Sequence, residues 1–335
     1  MSFLQDSGWT AQGLQDAGAW AMPVDETCRQ AMRRLALDVA ACTPCDGVEP
    51  TLQNLFEAAR EQLENGIGFV VLRGVPLSGL PLKERQQLFT VLCRQLGELV
   101  PQTKEGQMIG EVRHLAGDAA ARIGRYYGSN AELGFHTDRC DVLALLFLQQ
   151  SSEGGVSRVC SSVTVHDELA EQHPELLRVL YEPFYWRNPE RPWPGMPAYF
   201  EQPVFAVSGQ RLACCFNRFQ IEAGHRYPGN PGLTPLQLSA LNAFEAIANR
   251  PDVCLEVRLQ AGDLQLLNNH IVLHARSAYT DAGEQTRHLL RAWVSAPNSR
   301  ALAPSFAPTF HDCRAGALRG GYLLKAAPLS GVDPC

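Results

Sequence analysis

The stretch LGFHTDRCDVLALLFLQ, residues 133–149, constrains the fold more tightly than any other part of the chain. Its second half is almost unbroken apolar sequence, which reads as a strand buried in a core rather than one with a wet face. Two polar residues, His136 and Asp138, stand at the mouth of that run. In extended chain, residues two apart point to the same side, so an imidazole and a carboxylate would face one common point. An unpaired carboxylate is costly to bury, so one reading puts a cation there. The other reading is a histidine hydrogen-bonded to its neighbour at the strand's exposed end, and the triplet alone does not separate the two.

The spacing itself is cheap. With 9 histidines and 35 acidic residues in 335 positions, about one His-any-acid triplet is expected by chance. The chain has three, the others being His166-Asp-Glu168 and His173-Pro-Glu175. Context distinguishes them. His166 and Glu168 open a predicted helix, where residues two apart diverge, and His173 precedes a helix-starting proline, so both read as solvated helix-end groups. Only His136 and Asp138 lead into a buried run.

Around that run the pattern is β-rich. TLQNLFEAAREQLENG and PLKERQQLFTVLCRQLGEL are amphipathic helices flanking a strand in IGFVVLRGVP, the first starting at Thr51 and ending at Asn65-Gly66. Further strands are expected in EVRHL, VSRVCSSV, PVFAV, RLACCFN, VCLEVRLQ, LQLLN, HIVLHAR and RHLLRAWVS, with turns at Gly209-Gln210 and at residues 261–263. Two helices, HDELAEQHPELLRVLYE and TPLQLSALNAFEAIANR, interrupt them, the latter capped by Thr234. Residues 183–200 mix aromatics with prolines and cannot be a central strand; a lid over a pocket and a stapled structural loop both fit. There Tyr185, Trp186 and Trp193 could cage an ammonium group, although packing accounts for them more simply. The expectation is one domain, mainly β with flanking helices (α+β), with residues 1–50 as an N-terminal extension, 51–297 as core and 298–335 as tail.

Bulk properties narrow the partners. A net charge of −6 without a Lys/Arg cluster argues against nucleic acid. No apolar stretch nears the ~20 residues that span a bilayer, and the start lacks signal-peptide features, so a soluble cytoplasmic protein acting on a small molecule is expected. Eleven scattered cysteines, an odd number, read as reduced thiols. Cys42 and Cys45 lack the companions of a metal or redox motif, and Cys214 and Cys215 read as small buried hydrophobes.

A third ligand would decide the metal question. HIVLHAR offers His270 and His274, which on a helix could share one ion. Ile271-Val272 favour a strand, in which the two lie roughly 13 Å apart, so only one can be the partner. Later, Arg287 and Arg291 share a strand face with Leu289 and Trp293 and need anionic partners, either ligands or carboxylates such as Asp281 or Glu284.

FHTD, then GGVS, then GDLQLLNNHIVLHARSAYTD followed by RHLLRAWV form an ordered set that resembles the taurine dioxygenase and clavaminate synthase-like family of Fe(II), 2-oxoglutarate-dependent oxygenases, over roughly residues 60–297. The resemblance implies a double-stranded β-helix (jelly-roll) core with inserted helices. It implies Fe(II) held by His136, Asp138 and His274, with His270 as a neighbour. It gives Arg287 and Ser157 to the distal carboxylate of 2-oxoglutarate, and Arg291 to an anionic group of the substrate. Asn130, at the start of the first metal strand, is a substrate-contact candidate, with turn formation as its alternative. Two histidines and a carboxylate leave coordination positions open, as an O2-using centre requires. The activity implied is hydroxylation of an unactivated carbon of a small amino-acid-like or carboxylate-bearing substrate, with release of succinate and CO2. A cupin-like hydrolase or isomerase, or a jelly roll that binds without catalysis, are the competing readings.

Overall fold

The computed structural model describes residues 5–40, 49–114, 129–188 and 197–322. Cys42, Cys45 and Trp193 lie outside the described residues. The larger sheet runs β1 (Ala21–Pro23), β2 (Phe69–Arg73), β14 (Leu264–Asn268), β6 (Val142–Gln149), β17 (His288–Ser295) and β3 (Glu98–Val100), with β4 (Ile109–Arg113) also on β17. The smaller runs β13 (Leu255–Val257), β8 (Ser157–Ser161), β15 (Val272–Arg276) and β5 (Leu133–His136). Three two-stranded ribbons complete the set: β7 (Glu153–Gly154) with β16 (Tyr279–Thr280), β9 (Phe184–Arg187) with β10 (Tyr199–Gln202), and β11 (Phe205–Ser208) with β12 (Arg211–Cys214). Among the described residues only β1 and β2 pair in parallel; the other ladders are antiparallel, the arrangement of a jelly roll.

The unbroken apolar run of β6 is explained by its central place in the larger sheet. Leu143 and Phe147 point into a core shared with the smaller sheet, while Val142, Ala144, Leu146 and Leu148 point the other way. There they meet the helices Glu26–Ala40, Pro50–Glu64 and Leu82–Arg94 through Met32, Phe56, Leu88 and Phe89. Both faces are therefore dry. The same alternation puts Leu267 of β14 and Leu289 and Trp293 of β17 on the shared-core side. Gln265 and Arg291, two residues from Leu267 and Leu289, follow them to that side. Polar residues thus enter the interior of the roll at chosen rungs of otherwise apolar strands.

The structure departs from sequence expectation in four places. Residues 133–149 are two strands rather than one: β5 ends at His136, the chain crosses between sheets, and β6 begins at Val142. The helix expected from His166 begins at Ser162, where Ser161 caps it through the Thr164 amide, so β8 is shorter than VSRVCSSV. That helix breaks at His173, and Pro174–Leu180 is a separate helix, because the proline cannot donate to the preceding turn. A helix at Arg218–His225, capped by Asn217, was not expected. By contrast, Thr234 makes a full capping box with Gln237, and Gly209, at φ 60°, turns the β11–β12 hairpin. Of residues 183–200, the described parts are the β9–β10 ribbon, in which Trp186 is buried and donates to the Gln202 carbonyl. Tyr185 meets Tyr199 and His225 edge-on.

Candidate active site

Three side chains separated by up to 138 positions meet at one point. His136 on β5 stands opposite His274 on β15 in the antiparallel register, with ring centroids 4.1 Å apart. Asp138 joins them from the crossing segment, and one donor atom from each of the three lies within 4.8 Å of the others. Asp138 does not reach the point by strand alternation, since β5 has ended at His136. Its position is set by tethers: its amide donates to Asn269 Oδ1 at 3.0 Å, Trp293 Nε1 donates to its Oδ2 at 2.9 Å, and Arg291 lies 3.5 Å away. Thr137 is locked alongside, its amide donating to the Phe216 carbonyl and its hydroxyl accepting the Phe216 amide.

The electrostatics suit a cation. Burial raises the Asp138 carboxyl, but Arg291, the two imidazoles and Trp293 outweigh it and hold the group ionised below its usual range. Burial, with His136 and Arg291 nearby, lowers His274 to about 3, so its imidazole is neutral. His136 Nδ1 bonds the Gly134 carbonyl at 2.9 Å, which leaves Nε2 with the lone pair a metal needs. The other histidine of HIVLHAR is already engaged by its own partner: His270 is fully buried and bonds Asp141 Oδ1 at 2.8 Å. His166 bonds Asp167 on its own helix and Tyr181 at the end of the next, and Glu168 pairs with Arg250.

Further into the roll lies a cationic pocket. Arg287 is buried, and its guanidinium lies over the rings of Phe147 and Tyr279 at 5.6 and 5.4 Å. No carboxylate pairs with that guanidinium among the described residues. Asp281 takes only the Arg287 backbone amide, and the Glu284 carbonyl is occupied by Gln149. Burial, reinforced by Arg276, lowers Arg287 to about 10. Gly155 keeps space for it, since a Cβ there would stand 3.1 Å from Arg287 Cδ and Nε. Ser157 pairs with Arg276 in the β8–β15 register and donates to Gln265 Oε1 at 3.0 Å. The consequence is a set of buried polar atoms without partners: Arg287 Nε, Arg276 Nε, Tyr279 Oη and Gln265 Nε2. Orphaned donors around uncompensated positive charge fit a carboxylate ligand.

Sequence reasoning missed Arg276, Tyr279, Gln265, Asn269 and Gln102. Gln102 accepts from Arg291 Nε at 2.6 Å and donates to the Arg291 carbonyl at 2.8 Å, fixing that side chain. A usable signal existed for Arg276: two residues after His274 on one strand, it had to share that histidine's face. Asn130 lies in an exposed connection, and its carbonyl accepts the Tyr279 amide at 3.0 Å.

The family model for the taurine catabolism dioxygenase TauD, TfdA family matches residues 38–293. The chain belongs to that family. It is 31% identical over 314 residues to FR-33289 synthase of Streptomyces rubellomurinus, covering 89% of this chain and 92% of the relative. It is similar in fold to an asparagine oxygenase solved with Fe(II), a hydroxyasparagine and succinate (TM-score 0.64, 17% identity, 82% of this chain and 93% of that one). It is also similar to the non-haem iron oxygenase OrfP solved with iron and α-ketoglutaric acid (TM-score 0.60, 18% identity, 82% and 93%). This TauD-like chain is a non-haem iron, 2-oxoglutarate-dependent oxygenase. No described helix is long and apolar enough to cross a membrane.

Proposed function

We propose that the enzyme hydroxylates an unactivated carbon of a small, carboxylate-bearing, amino-acid-like substrate. The observation that carries this reading is the convergence of His136, Asp138 and His274 within 4.8 Å. In this reading those three side chains would hold Fe(II), a donor set that leaves coordination positions for co-substrate and O2. Arg287 grips the distal carboxylate of 2-oxoglutarate, with Tyr279 and Gln265 as further donors. The Ser157 hydroxyl, which donates to Gln265 Oε1, acts by orienting that amide rather than by touching the ligand itself. Bound together, iron, 2-oxoglutarate and O2 supply the oxidising power for C–H hydroxylation, with succinate and CO2 as co-products. The apolar walls of the roll keep bulk water from the reacting carbon.

Arg291 takes an anionic group of the substrate, which its position 3.5 Å from Asp138 supports, since a substrate held there lies beside the metal. Asn130 contributes from the rim. Amino acids are also what the neighbours were solved with, a hydroxyasparagine in one case and a hydroxyarginine in the other.

The ligand set is tested by Asp138→Ala and His274→Ala, supplied with Fe(II), 2-oxoglutarate and O2. Both should lose succinate formation and tight Fe(II) binding; wild-type succinate production in either variant refutes the assignment. Arg287→Ala should raise the 2-oxoglutarate requirement steeply while iron content stays the same.

A further inference from the structure

On the outer side of the metal-bearing crossing segment, a second group of polar atoms has no partner. Arg139 follows Asp138 directly, and its guanidinium is held between two rings, 5.2 Å from the centroid of Tyr322 and 5.7 Å from that of Phe200. This sandwich fixes the plane of the guanidinium and leaves only its edge for hydrogen bonds. One edge nitrogen makes a long contact of 3.4 Å to the Pro308 carbonyl, while Nε is buried and unpartnered. No carboxylate pairs with Arg139 among the described residues.

Two neighbours share the deficit. Gln202 is 1% exposed, and neither of its amide atoms has a nitrogen or oxygen partner, the Cys215 thiol being its polar neighbour. It lies two residues from Phe200 on β10, so it shares the face that carries Phe200 onto Arg139. His311 has a buried, unpartnered Nε2 and faces both Arg139 and the Gly321 backbone. Its backbone is strained, at φ 67° and ψ −51°, and it is the one non-glycine residue with positive φ among those described. The buried thiol of Cys215 faces Arg139 and Gln202 in the same place.

The chain then closes over the group. The Gly321 amide donates to the Arg139 carbonyl at 2.6 Å, and Gly320, at φ 81°, passes so close that a Cβ would lie 2.6 Å from the same oxygen. Arg300 and Arg319 meet carboxylates; Arg139 meets an imidazole and two aromatic faces.

From this juxtaposition we infer that Arg139, His311 and Gln202 form an oxyanion-binding subsite, which takes a carboxylate- or phosphate-type group of the substrate. The subsite is coupled to the metal centre through contacts already in place. Tyr322 stacks on Trp293 at 6.0 Å and 27°, and Trp293 donates to Asp138. That the anion belongs to the substrate rests on the proposed hydroxylase reading; that the subsite binds an anion does not.

The test titrates the full-length protein with inorganic phosphate and, separately, acetate, and follows tryptophan fluorescence, because Trp293 and Trp186 stack on the rings that enclose Arg139. A saturable response to either anion is expected. It should weaken roughly tenfold to a hundredfold in Arg139→Gln, the range for losing hydrogen bonds to a charged group. Gln202→Leu, which removes an orphaned amide and leaves the charge, should weaken it less and covers the case in which Arg139→Gln does not fold. Arg287→Met should leave the response intact, which separates this subsite from the co-substrate pocket. His274→Ala should also leave it intact while abolishing 2-oxoglutarate turnover; retained turnover there sinks the metal assignment without touching this one. Absence of any response, equal affinity in Arg139→Gln, or loss of the response in Arg287→Met overturns the subsite.

Discussion

Arg300 and Arg287 are both buried guanidiniums in the same protein, and their surroundings are opposite. Arg300 bonds Glu64 at 2.9 Å, Asp6 at 3.0 Å and the Leu212 carbonyl at 2.8 Å. Nearby, Arg319 meets Asp141 at 2.7 Å and the Arg300 carbonyl at 2.7 Å. Asp141 also accepts from His270 and from the Ala296 amide, so the charges are compensated from several directions. Arg287 has rings on its flanks, a second guanidinium nearby and an orphaned Nε. The satisfied network braces the fold behind the crossing segment that carries Asp138. The unsatisfied pocket costs stability in the protein alone and recovers it when an anion arrives. Between these two arginines, the partner count separates scaffold from proposed binding site.

The largest effects should come from exchanging the two arginines' fates. Arg300→Met leaves Glu64 and Asp6 with Arg211 as their remaining arginine, at 4.0 and 2.9 Å, and breaking a buried pair this way costs about 3 kcal/mol, the low end of the usual range. Urea unfolding of the metal-free protein should show that loss, with the 2-oxoglutarate requirement of the surviving fold little changed. Arg287→Met removes an uncompensated charge and should leave stability equal or higher by ~1 kcal/mol. Its 2-oxoglutarate affinity should fall by about 2–5 kcal/mol, the cost of truncating one partner of a buried charged contact. Equal destabilisation by the two substitutions, with co-substrate affinity intact in both, breaks the comparison.

The sequence disclosed the candidate site residues more readily than their supports, for a physical reason. His136 and Asp138 stand at the mouth of an apolar run, and Arg287 and Arg291 in or beside an apolar strand, anomalies visible without coordinates; the choice of His274 over His270 came from the family resemblance alone. The halves of the fold followed from periodicity, since Pro50–Glu64 and Leu82–Arg94 repeat apolar residues at helical spacing. What could not be read was long-range register. Whether His274 stands opposite His136, or Asn269 reaches the Asp138 amide, depends on pairings between segments about 130 residues apart. Local pattern also failed at the crossing: residues 133–149 look continuous, yet tertiary tethers at Thr137 and Asp141 divide them between two sheets. His311 shows the same limit, because nothing in FHDC announces positive φ.

A pH titration of stability sharpens the scaffold side of the comparison. Burial, only partly offset by Asp141, lowers His270 to about 4. Its ordinary value is 6.5, so as pH falls the unfolded chain takes up this proton first. The contribution of His270 is therefore fully present above about pH 6.5 and is lost on the way down to about 4. The slope from one such group approaches ~1.4 kcal/mol per pH unit. His270→Asn should reduce the pH dependence of the unfolding free energy by about that amount in this window. An unchanged slope would show that His270 is already charged in the folded state, and the Asp141 network would then be ionic throughout.

The smallest effect tests whether the rule extends to neutral groups. Ser157 is 6% exposed, and its hydroxyl bonds Gln265, whose other amide atom is orphaned toward the Arg287 pocket. If the hydroxyl serves to aim that amide, Ser157→Ala should loosen 2-oxoglutarate binding by about 0.5–1.5 kcal/mol, roughly twofold to tenfold. Maximal turnover should be unaltered, because the loss falls on ground-state and transition-state binding alike. Ser157→Thr keeps the donor and should stay near wild type in affinity. A scaffold role makes the opposite demand: Ser157→Ala would lower the unfolding midpoint and leave the co-substrate requirement where it was. Equilibrium unfolding and 2-oxoglutarate titration on the same preparation distinguish the two, since the free-energy change can appear in full in only one of them.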